Sequence, residues 1–325
     1  MDPRLTTALI VVIGVPAVLI GYIWLTEFAL RFVGQRLRPR LRPWLWLAPA
    51  LAFLAVFLVY PTVGTFIRSL YGKSGATFVG IDNFTWFFTN SASLIALRNS
   101  LIWLVVLTGI TVGLGMLIAL LVDRVRYETV AKSVIFVPLA ISMVAASVIW
   151  TFMYDYRTPP EPQVGTLNAA LTSTGAAPVA WIQVSDFGFN SILLVIVMAW
   201  MWTGFAMVIL SAALKGINPE LLEAARVDGA SERQVFRGIT LPLLAPTIAV
   251  VTTTMIITAL KAFDIVYVMT SGHFDTQVVA YQMITQLYDN GNPGRASAIA
   301  VVLLLAIIPV MALNIRRFRA QEAIR

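Results

Sequence analysis

The chain has 325 residues, of which 59% are hydrophobic and only 12% are charged, and its net charge is +7. This balance excludes an ordinary soluble domain and is typical of a protein that crosses a lipid bilayer. The sequence contains no cysteine, which excludes disulfides, thiol catalysis and cysteine metal sites.

Seven apolar segments are long enough to span a bilayer, because a transmembrane helix needs about 20 apolar residues. None of them contains Lys, Arg, Asp or Glu. In chain order they are Thr7–Leu25, Leu45–Phe66, Ser100–Val122, Val134–Tyr154, Ser191–Leu214, Leu243–Leu260 and Ala296–Ile315. The first has only Arg4 before it and no small-residue cleavage site, which favours a retained helix over a signal peptide. The pattern predicts an all-α, multi-pass membrane protein.

The connection Arg31–Trp44 is rich in Arg and Pro and is the clearest internal boundary. It divides residues 1–44, an accessory helix with a basic linker, from residues 45–325, a six-helix domain. With the N-terminus outside, most of the 23 Lys and Arg residues fall in cytoplasmic loops, as the positive-inside rule requires. The C-terminus and the connection 215–242 are then cytoplasmic. This charge distribution favours contact with anionic lipid headgroups, especially at Arg36–Arg42, over nucleic-acid binding.

Three longer segments lie on the predicted outer side, and connections of this length are often functional. They are Ile67–Asn99, Asp155–Asn190, expected to be irregular with a short helix, and Lys261–Arg295.

Gly72-Lys73-Ser74 resembles the end of a phosphate loop, but Ile67 stands where that motif needs its first glycine. An ordinary loop is therefore favoured, and any transport energy would come from another chain or from an ion gradient.

Ionisable groups that could couple transport to an ion gradient are scarce. The nearest are Lys261 and Asp264 at the end of the sixth segment, where we expect an interfacial ion pair, with gating or contact with a transported solute as the alternative. His273 is the only histidine and has no neighbours that complete a ligand set, so no metal site is predicted. No segment contains a carboxylate pair or a Ser-x-x-Lys arrangement, so no catalytic residue is predicted.

The connection 215–242 has the local chemistry of two short helices. Asn218 is a suitable N-cap, Pro219 suits the first helical position, and the following acidic residue complements the helix dipole. Gly229 is expected to end this helix. Ser231 and Gln234 then predict a capping box for a second short helix, which Gly238 is expected to end.

The same connection carries a family pattern. Glu223-Ala224-Ala225, Asp228-Gly229 and Leu241-Pro242 resemble the EAA loop of permease subunits of binding-protein-dependent ABC importers. The segments that resemble maltose-type permeases are Phe78–Phe84, Gly165–Asn168 and Phe263–Tyr267, and those that resemble the α-glucoside subgroup are Val134–Tyr156 and Thr203–Gly216. The resemblance implies a type I ABC importer permease fold with a six-helix core and one additional N-terminal helix.

The resemblance also implies an ATP-driven sugar importer in the bacterial cytoplasmic (inner) membrane, with this chain forming half of the translocation pathway. Its partners would be a second homologous permease, two ATP-binding cassette ATPase subunits that bind ATP and magnesium, an extracytoplasmic sugar-binding protein, and a sugar such as an α-glucoside. The residues that would couple to the ATPase are Glu220, Glu223, Ala224, Ala225, Asp228, Gly229, Leu241 and Pro242. A stand-alone secondary sugar carrier and a membrane scaffold or receptor remain alternatives.

The two predicted loop helices could instead lie flat on the membrane, but their acidic content suits an anionic surface poorly.

Sugar recognition needs aromatic faces and neutral hydrogen-bonding groups. The candidates are Trp150, Trp200, Trp202, Thr203, Phe205, Thr254, Thr258, Phe263, Asp264 and Tyr267. The alternative for these residues is structural, because Trp and Tyr near span ends commonly form interfacial belts and membrane threonines often bond to backbone.

Overall fold

The described part of the computed structural model comprises residues 3–123 and 125–322, without the side chains at positions 3, 5, 6, 8, 9 and 313–322. These residues form helices and connecting loops, with one isolated β-bridge between Tyr71 and Phe78. Six continuous helices within this part are long and apolar enough to cross a membrane. They are Ile10–Leu30, Arg38–Ser69, Ser91–Val122, Asp186–Lys215, Glu232–Leu260 and Pro293–Ala312. The all-α, multi-pass prediction is confirmed.

The fourth of the seven predicted segments, called the fourth span below, is sharply bent and is not the continuous helix expected over Val134–Tyr154. It consists of Glu128–Ala140 and Met143–Met153, which meet at an angle of 98°. Pro138 lies in a 3₁₀ turn, and Ile141 then adopts an extended backbone. The hydroxyl of Ser142 accepts a hydrogen bond from the Ala145 backbone N–H at 3.2 Å and caps the second half. A proline, an extended residue and a new cap together account for the break.

Shorter helices complete the chain between the spans. They are Asp82–Thr89, Thr166–Ser173, Pro219–Val227, Asp264–Thr270 and Val279–Tyr288. The middle long connection is irregular around one short helix, as predicted. Its organiser is Asn168, which is fully buried. The Asn168 amide nitrogen donates to the carbonyls of Asp155 and Val179, both at 2.9 Å, and its oxygen accepts from the Trp181 indole N–H at 3.1 Å.

The second span begins earlier than predicted, at Arg38, so the basic connection is only 31–37. Proline in the first helical turn is favourable because it forfeits no intrahelical hydrogen bond there, and Pro39 occupies that position. Glu27 on the preceding helix accepts a hydrogen bond from Arg42 Nε at 2.8 Å and lies 3.6 Å from Arg38. These pairs neutralise part of the basic cluster within the helical hairpin.

The chain divides into two compact units, Met1–Thr65 and Phe66–Arg325. In the first unit the two helices are joined by the hydrogen bond from the Tyr22 hydroxyl to the Leu45 carbonyl, at 2.6 Å. Almost all of the large apolar side chains that are described in this unit are exposed, which suits a bilayer environment. The functional division expected at residue 44 stays a prediction.

The second unit is built around the fifth span, Asp186–Lys215, which is the most buried of the apolar helices. Two glycine contacts bring neighbouring backbones close to it. Gly115 of the third span packs against Ala206, where a Cβ would lie 2.6 Å from the alanine methyl carbon. Gly204 of the fifth span packs against the Ile135 carbonyl oxygen, which would lie 2.5 Å from a Cβ. Such small-residue contacts are a common way to pack helices in membranes.

Candidate coupling and substrate sites

The first helix of the 215–242 connection, Pro219–Val227, begins as the sequence predicts. The side-chain oxygen of Asn218 accepts a hydrogen bond from the Glu220 backbone N–H at 3.0 Å, and proline occupies the first turn. Glu220 lies in the same turn, where an anion complements the helix dipole. The cap and the charge fix where the helix starts.

Gly229 ends this helix in a left-handed conformation with φ of +85°. The Gly229 N–H donates to the Arg226 carbonyl and the Ala230 N–H donates to the Ala225 carbonyl, both at 3.0 Å. These two bonds define a Schellman motif, which satisfies carbonyls that the end of a helix leaves unpaired. Apart from its two chain neighbours, no atom of the described residues lies within 4 Å of a Cβ built at Gly229, so the backbone angle alone demands glycine here.

The second helix begins at Glu232 with the predicted capping box between Ser231 and Gln234. The prediction that Gly238 ends this helix is wrong. The chain continues through a wide π-helical turn, Phe236–Thr240, into the sixth span without a break. A π turn at this point is understandable because Pro242 cannot donate the usual backbone hydrogen bond. Leu241 and Pro242 therefore lie within one continuous helix that joins the connection to the membrane.

The two short helices are held together by an ion pair across the glycine turn. Arg226 Nε lies 2.7 Å from Glu232 Oε1, and a second contact of 3.4 Å joins the Arg226 Nη2 and Glu232 Oε2 atoms. The hydrogen bond to Glu232 raises the pKa of the Arg226 guanidinium above its usual value. Arginine is charged at physiological pH in any case, and the pair links the two short helices across the turn.

The exposed surface of Pro219–Val227 combines acidic and apolar side chains. Glu220, Glu223, Ala224 and Asp228 are exposed, whereas Ala225 is half-buried. Sequence reasoning missed two apolar members, Leu221 and Val227, whose side chains are 50% and 87% exposed. With Ala224 they recur every third residue, and this spacing was the signal in the sequence for an apolar strip on one face of the helix. An apolar strip on a polar loop is suited to contact another protein.

The substrate-pathway candidates fall into three places in the second unit. The first is an aromatic cluster in which the ring centroid of Trp150 lies 5.9 Å from that of Trp200 and 5.3 Å from that of Tyr154. The buried Trp150 indole N–H has no hydrogen-bond partner among the described residues. A neighbouring cavity of about 860 Å³ is bounded by Trp200, Thr203 and apolar residues of the third and fourth spans. The Thr203 hydroxyl bonds to the Ala199 carbonyl at 2.6 Å.

The second group packs between helices. Trp202 and Phe205 pack edge to face with a centroid separation of 5.6 Å within an apolar cluster. The Thr254 and Thr258 hydroxyls bond to backbone carbonyls one turn earlier, at 3.0 and 2.8 Å. The threonine bonds match the structural alternative for those two residues. Trp202 lies in the apolar core and not in an interfacial belt, and its buried indole N–H, like that of Trp150, has no partner among the described residues.

The third group lies after the sixth span. Phe263 stacks on Tyr267 with a centroid separation of 5.1 Å. The ion pair expected between Lys261 and Asp264 is absent from the salt bridges of the described residues, so that prediction is wrong. Lys261 caps the end of the sixth span, whereas Asp264 opens the next helix and complements its dipole. The non-helical residues between them separate the two charges.

Comparisons with known proteins agree with this architecture. Residues 111–318 match the model of the family described as binding-protein-dependent transport system inner membrane component. The chain is 51% identical to the osmoprotective compounds uptake permease protein GgtC of Synechocystis over 86% of its own length and 100% of the relative. It is 41% identical to the alpha-glucoside transport system permease protein AglF of Rhizobium meliloti, covering 97% of each chain. The resemblance to the α-glucoside subgroup is thus confirmed.

A solved structure shows the same fold. The chain aligns with a permease of a bacterial alginate ABC transporter, crystallised with an alginate pentasaccharide-bound periplasmic protein, at a TM-score of 0.71 and 22% identity. The alignment covers 87% of this chain and 95% of the other. The type I importer permease fold is therefore shared. The chain belongs to the family of binding-protein-dependent transport system inner membrane components and is a multi-pass permease subunit of the sugar ABC importer class.

Proposed function

We propose that this permease forms half of the pathway of an α-glucoside importer and that residues 215–242 are the loop through which ATPase subunits drive it. A second homologous permease, two ATPase subunits and an extracytoplasmic sugar-binding protein complete the assembly. The observation that carries the proposal is a two-helix element, capped at both starts and pinned by Arg226–Glu232, that exposes an acidic and apolar face. Its second helix continues directly into a membrane span.

Each loop residue then has a physical task. Glu223 makes polar contacts with the ATPase, and Ala224 allows close approach because its side chain is small. Ala225 supports the helix end through its carbonyl, and Gly229 sets the angle between the two helices. Leu241 and Pro242 carry the motion into the sixth span. Glu220 and Asp228 extend the acidic border of the same face.

The energetic requirement on this loop is substantial. Moving a two-state transporter from 1:99 to 99:1 needs about 5.5 kcal/mol of differential interaction. A loosely attached loop would absorb that free energy in its own motion, whereas a capped and ion-paired element transmits it. The connection is cytoplasmic in this proposal, because the positive-inside rule assigns it to the same side as most Lys and Arg residues.

The substrate is proposed to be an α-glucoside, on the strength of the similarity to AglF, with an osmoprotective compound as the second candidate from the similarity to GgtC. The aromatic cluster around Trp150 and Trp200 is the favoured contact, since it combines ring faces with an indole N–H that has no partner in the described part of the chain. The adjoining cavity is mainly apolar, so the hydrogen bonds that a sugar requires would come from this cluster. Phe263, Asp264 and Tyr267 are proposed for the pathway entrance.

Reconstitution tests the proposal. Proteoliposomes that contain both permeases and the ATPase subunits should import radiolabelled maltose only with ATP inside and with the binding protein outside. Liposomes with this chain alone should show no uptake, even when an ion gradient is imposed. Full uptake without the ATPase would establish a stand-alone carrier, an alternative to which the relatives give no support.

A further inference from the structure

The point where the 215–242 connection leaves the membrane helix carries a cluster of charges. Lys215 is the final residue of the fifth span, and only Gly216 and Ile217 separate it from the Asn218 cap. Any force on the first loop helix must therefore pass through this root before it reaches the fifth span. The residues that Lys215 contacts determine which other helices receive that force.

Lys215 is bound to the start of the fourth span. Its ammonium nitrogen lies 2.6 Å from Glu128 Oε1 and 2.9 Å from Glu128 Oε2, and 3.9 Å from Asp123 Oδ1. Glu128 is the first residue of the helix Glu128–Phe136, and Asp123 directly follows the third span. One lysine thus contacts the ends of two other membrane helices.

A second lysine ties the same helices one turn deeper. Lys132 donates hydrogen bonds to Glu128 on its own helix and to the hydroxyl of Ser211 on the fifth span. Ser211 is almost fully buried and precedes Lys215 by one helical turn. The Glu128 carboxylate therefore accepts from both lysines, one from each helix.

Apolar packing continues this line of contacts into the membrane. Gly204 brings the fifth span against the Ile135 backbone, as described above. The pairs Lys215–Glu128, Ser211–Lys132 and Gly204–Ile135 advance along the two helices in opposite directions. Three successive contacts hold the antiparallel helices in one register, so neither can slide past the other without breaking all of them.

We propose that Lys215, Glu128, Lys132 and Ser211 form a joint that makes the root of the coupling loop and the helix Glu128–Phe136 move as one body. The inference rests on the proposed coupling role of the loop. Displacement of the loop would then reach the bend at Ile141–Ser142 directly, in addition to the route through the sixth span. In this proposal the four residues, which lie outside the EAA pattern, position the helices and do not contact the ATPase.

A cross-linking rescue tests the joint, and the cysteine-free chain permits it without background changes. The double variant Glu128→Cys/Lys215→Cys is assembled with its partner subunits in proteoliposomes, before and after treatment with a short bis-maleimide. Without the linker, the maltose-stimulated ATPase rate relative to the basal rate should fall by about fivefold, the lower end of typical coupling effects. The linker should restore it, because a covalent bridge replaces the ion pair.

The matched control is Glu27→Cys/Arg42→Cys, which removes a comparable ion pair of 2.8 Å from the N-terminal hairpin. Neither this pair of substitutions nor its cross-linking should change the ratio of the maltose-stimulated to the basal ATPase rate. Unchanged coupling in the unlinked Glu128/Lys215 variant would overturn the joint, as would linkage that fails to restore coupling. Loss of ATPase subunits on purification of this variant would also overturn it, since the residues would then hold the partner itself. Failure of the proposed importer function is separable, because the unmodified assembly would then show no maltose-stimulated ATPase activity.

Discussion

The substitution Gly229→Ala isolates the contribution of one backbone angle to coupling. At φ of +85° an alanine is strained, yet its methyl group would meet no atom within 4 Å in the described part of the chain beyond its two chain neighbours. A left-handed conformation costs a non-glycine residue about 1–2 kcal/mol. The substitution therefore penalises the Schellman turn and adds no clash, and it leaves the charges of the loop unchanged.

The size of the effect follows from that cost. A penalty of one to two kcal/mol changes a two-state equilibrium by a factor of about 5–30. We expect the ratio of maltose-stimulated to basal ATPase activity to decrease by a factor in this range, because the angle between the two loop helices is no longer fixed. Gly229→Asn should lose less, since asparagine tolerates the left-handed region better than alanine. Gly229→Asp adds a negative charge to an already acidic face and should therefore leave the protein in the membrane but uncouple ATP hydrolysis from uptake, although aspartate also tolerates the left-handed region.

Gly238→Ala is the matched control, because that glycine lies in the same loop, is helical and also has open space around it. It should retain coupling, since alanine favours helix over glycine. The assay is ATPase activity and maltose uptake in proteoliposomes at equal protein incorporation. If Gly229→Ala were as well coupled as Gly238→Ala, the turn would have no mechanical role and the reasoning would be refuted.

Three further outcomes are expected. Val227→Asp and Glu223→Ala should each weaken retention of the ATPase subunits in detergent without lowering expression, because both positions are exposed; undiminished co-purification would remove them from the interface. Trp150→Phe should raise the KM for maltose uptake by about threefold to tenfold, the value of one hydrogen bond, with coupling intact; an unaltered KM would assign this residue to packing alone. Asn168→Ala should destabilise the protein by about 3 kcal/mol, since buried polar groups lose their partners; a melting temperature equal to that of the unmodified protein would contradict its organising role.

Local chemistry in the loop was predictable from the sequence because it depends on neighbouring residues. Asn218, Gly229 and the Ser231–Gln234 box each act within a few positions, and each forms the expected bonds. The prediction that Gly238 ends the second helix was wrong because glycine permits a left-handed turn at the end of a helix but does not force one. Here the apolar face of the sixth span extends the helix through the π turn.

Contacts between distant segments were not predictable in the same way. Lys215 and Glu128 are 87 positions apart, and no local pattern indicates that two ordinary charged residues will meet. The break in the fourth span was hidden for a related reason. Pro138 lies in a segment that contains no charged residue, and hydropathy alone does not distinguish a straight span from a bent one.

That break has a consequence for the bilayer itself. Helices of 13 and 11 residues, at 1.5 Å per residue, reach only about 20 Å and 16 Å, less than the roughly 30 Å of hydrocarbon. The Ile141 N–H bonds to the Pro138 carbonyl at 3.2 Å, but the end of a helix leaves carbonyls that its own backbone cannot satisfy. Fatty acyl chains cannot hydrogen-bond to these carbonyls, so this stretch must adjoin either an aqueous channel or another polypeptide. The kink thereby marks a depth at which lipid is excluded from the transporter wall.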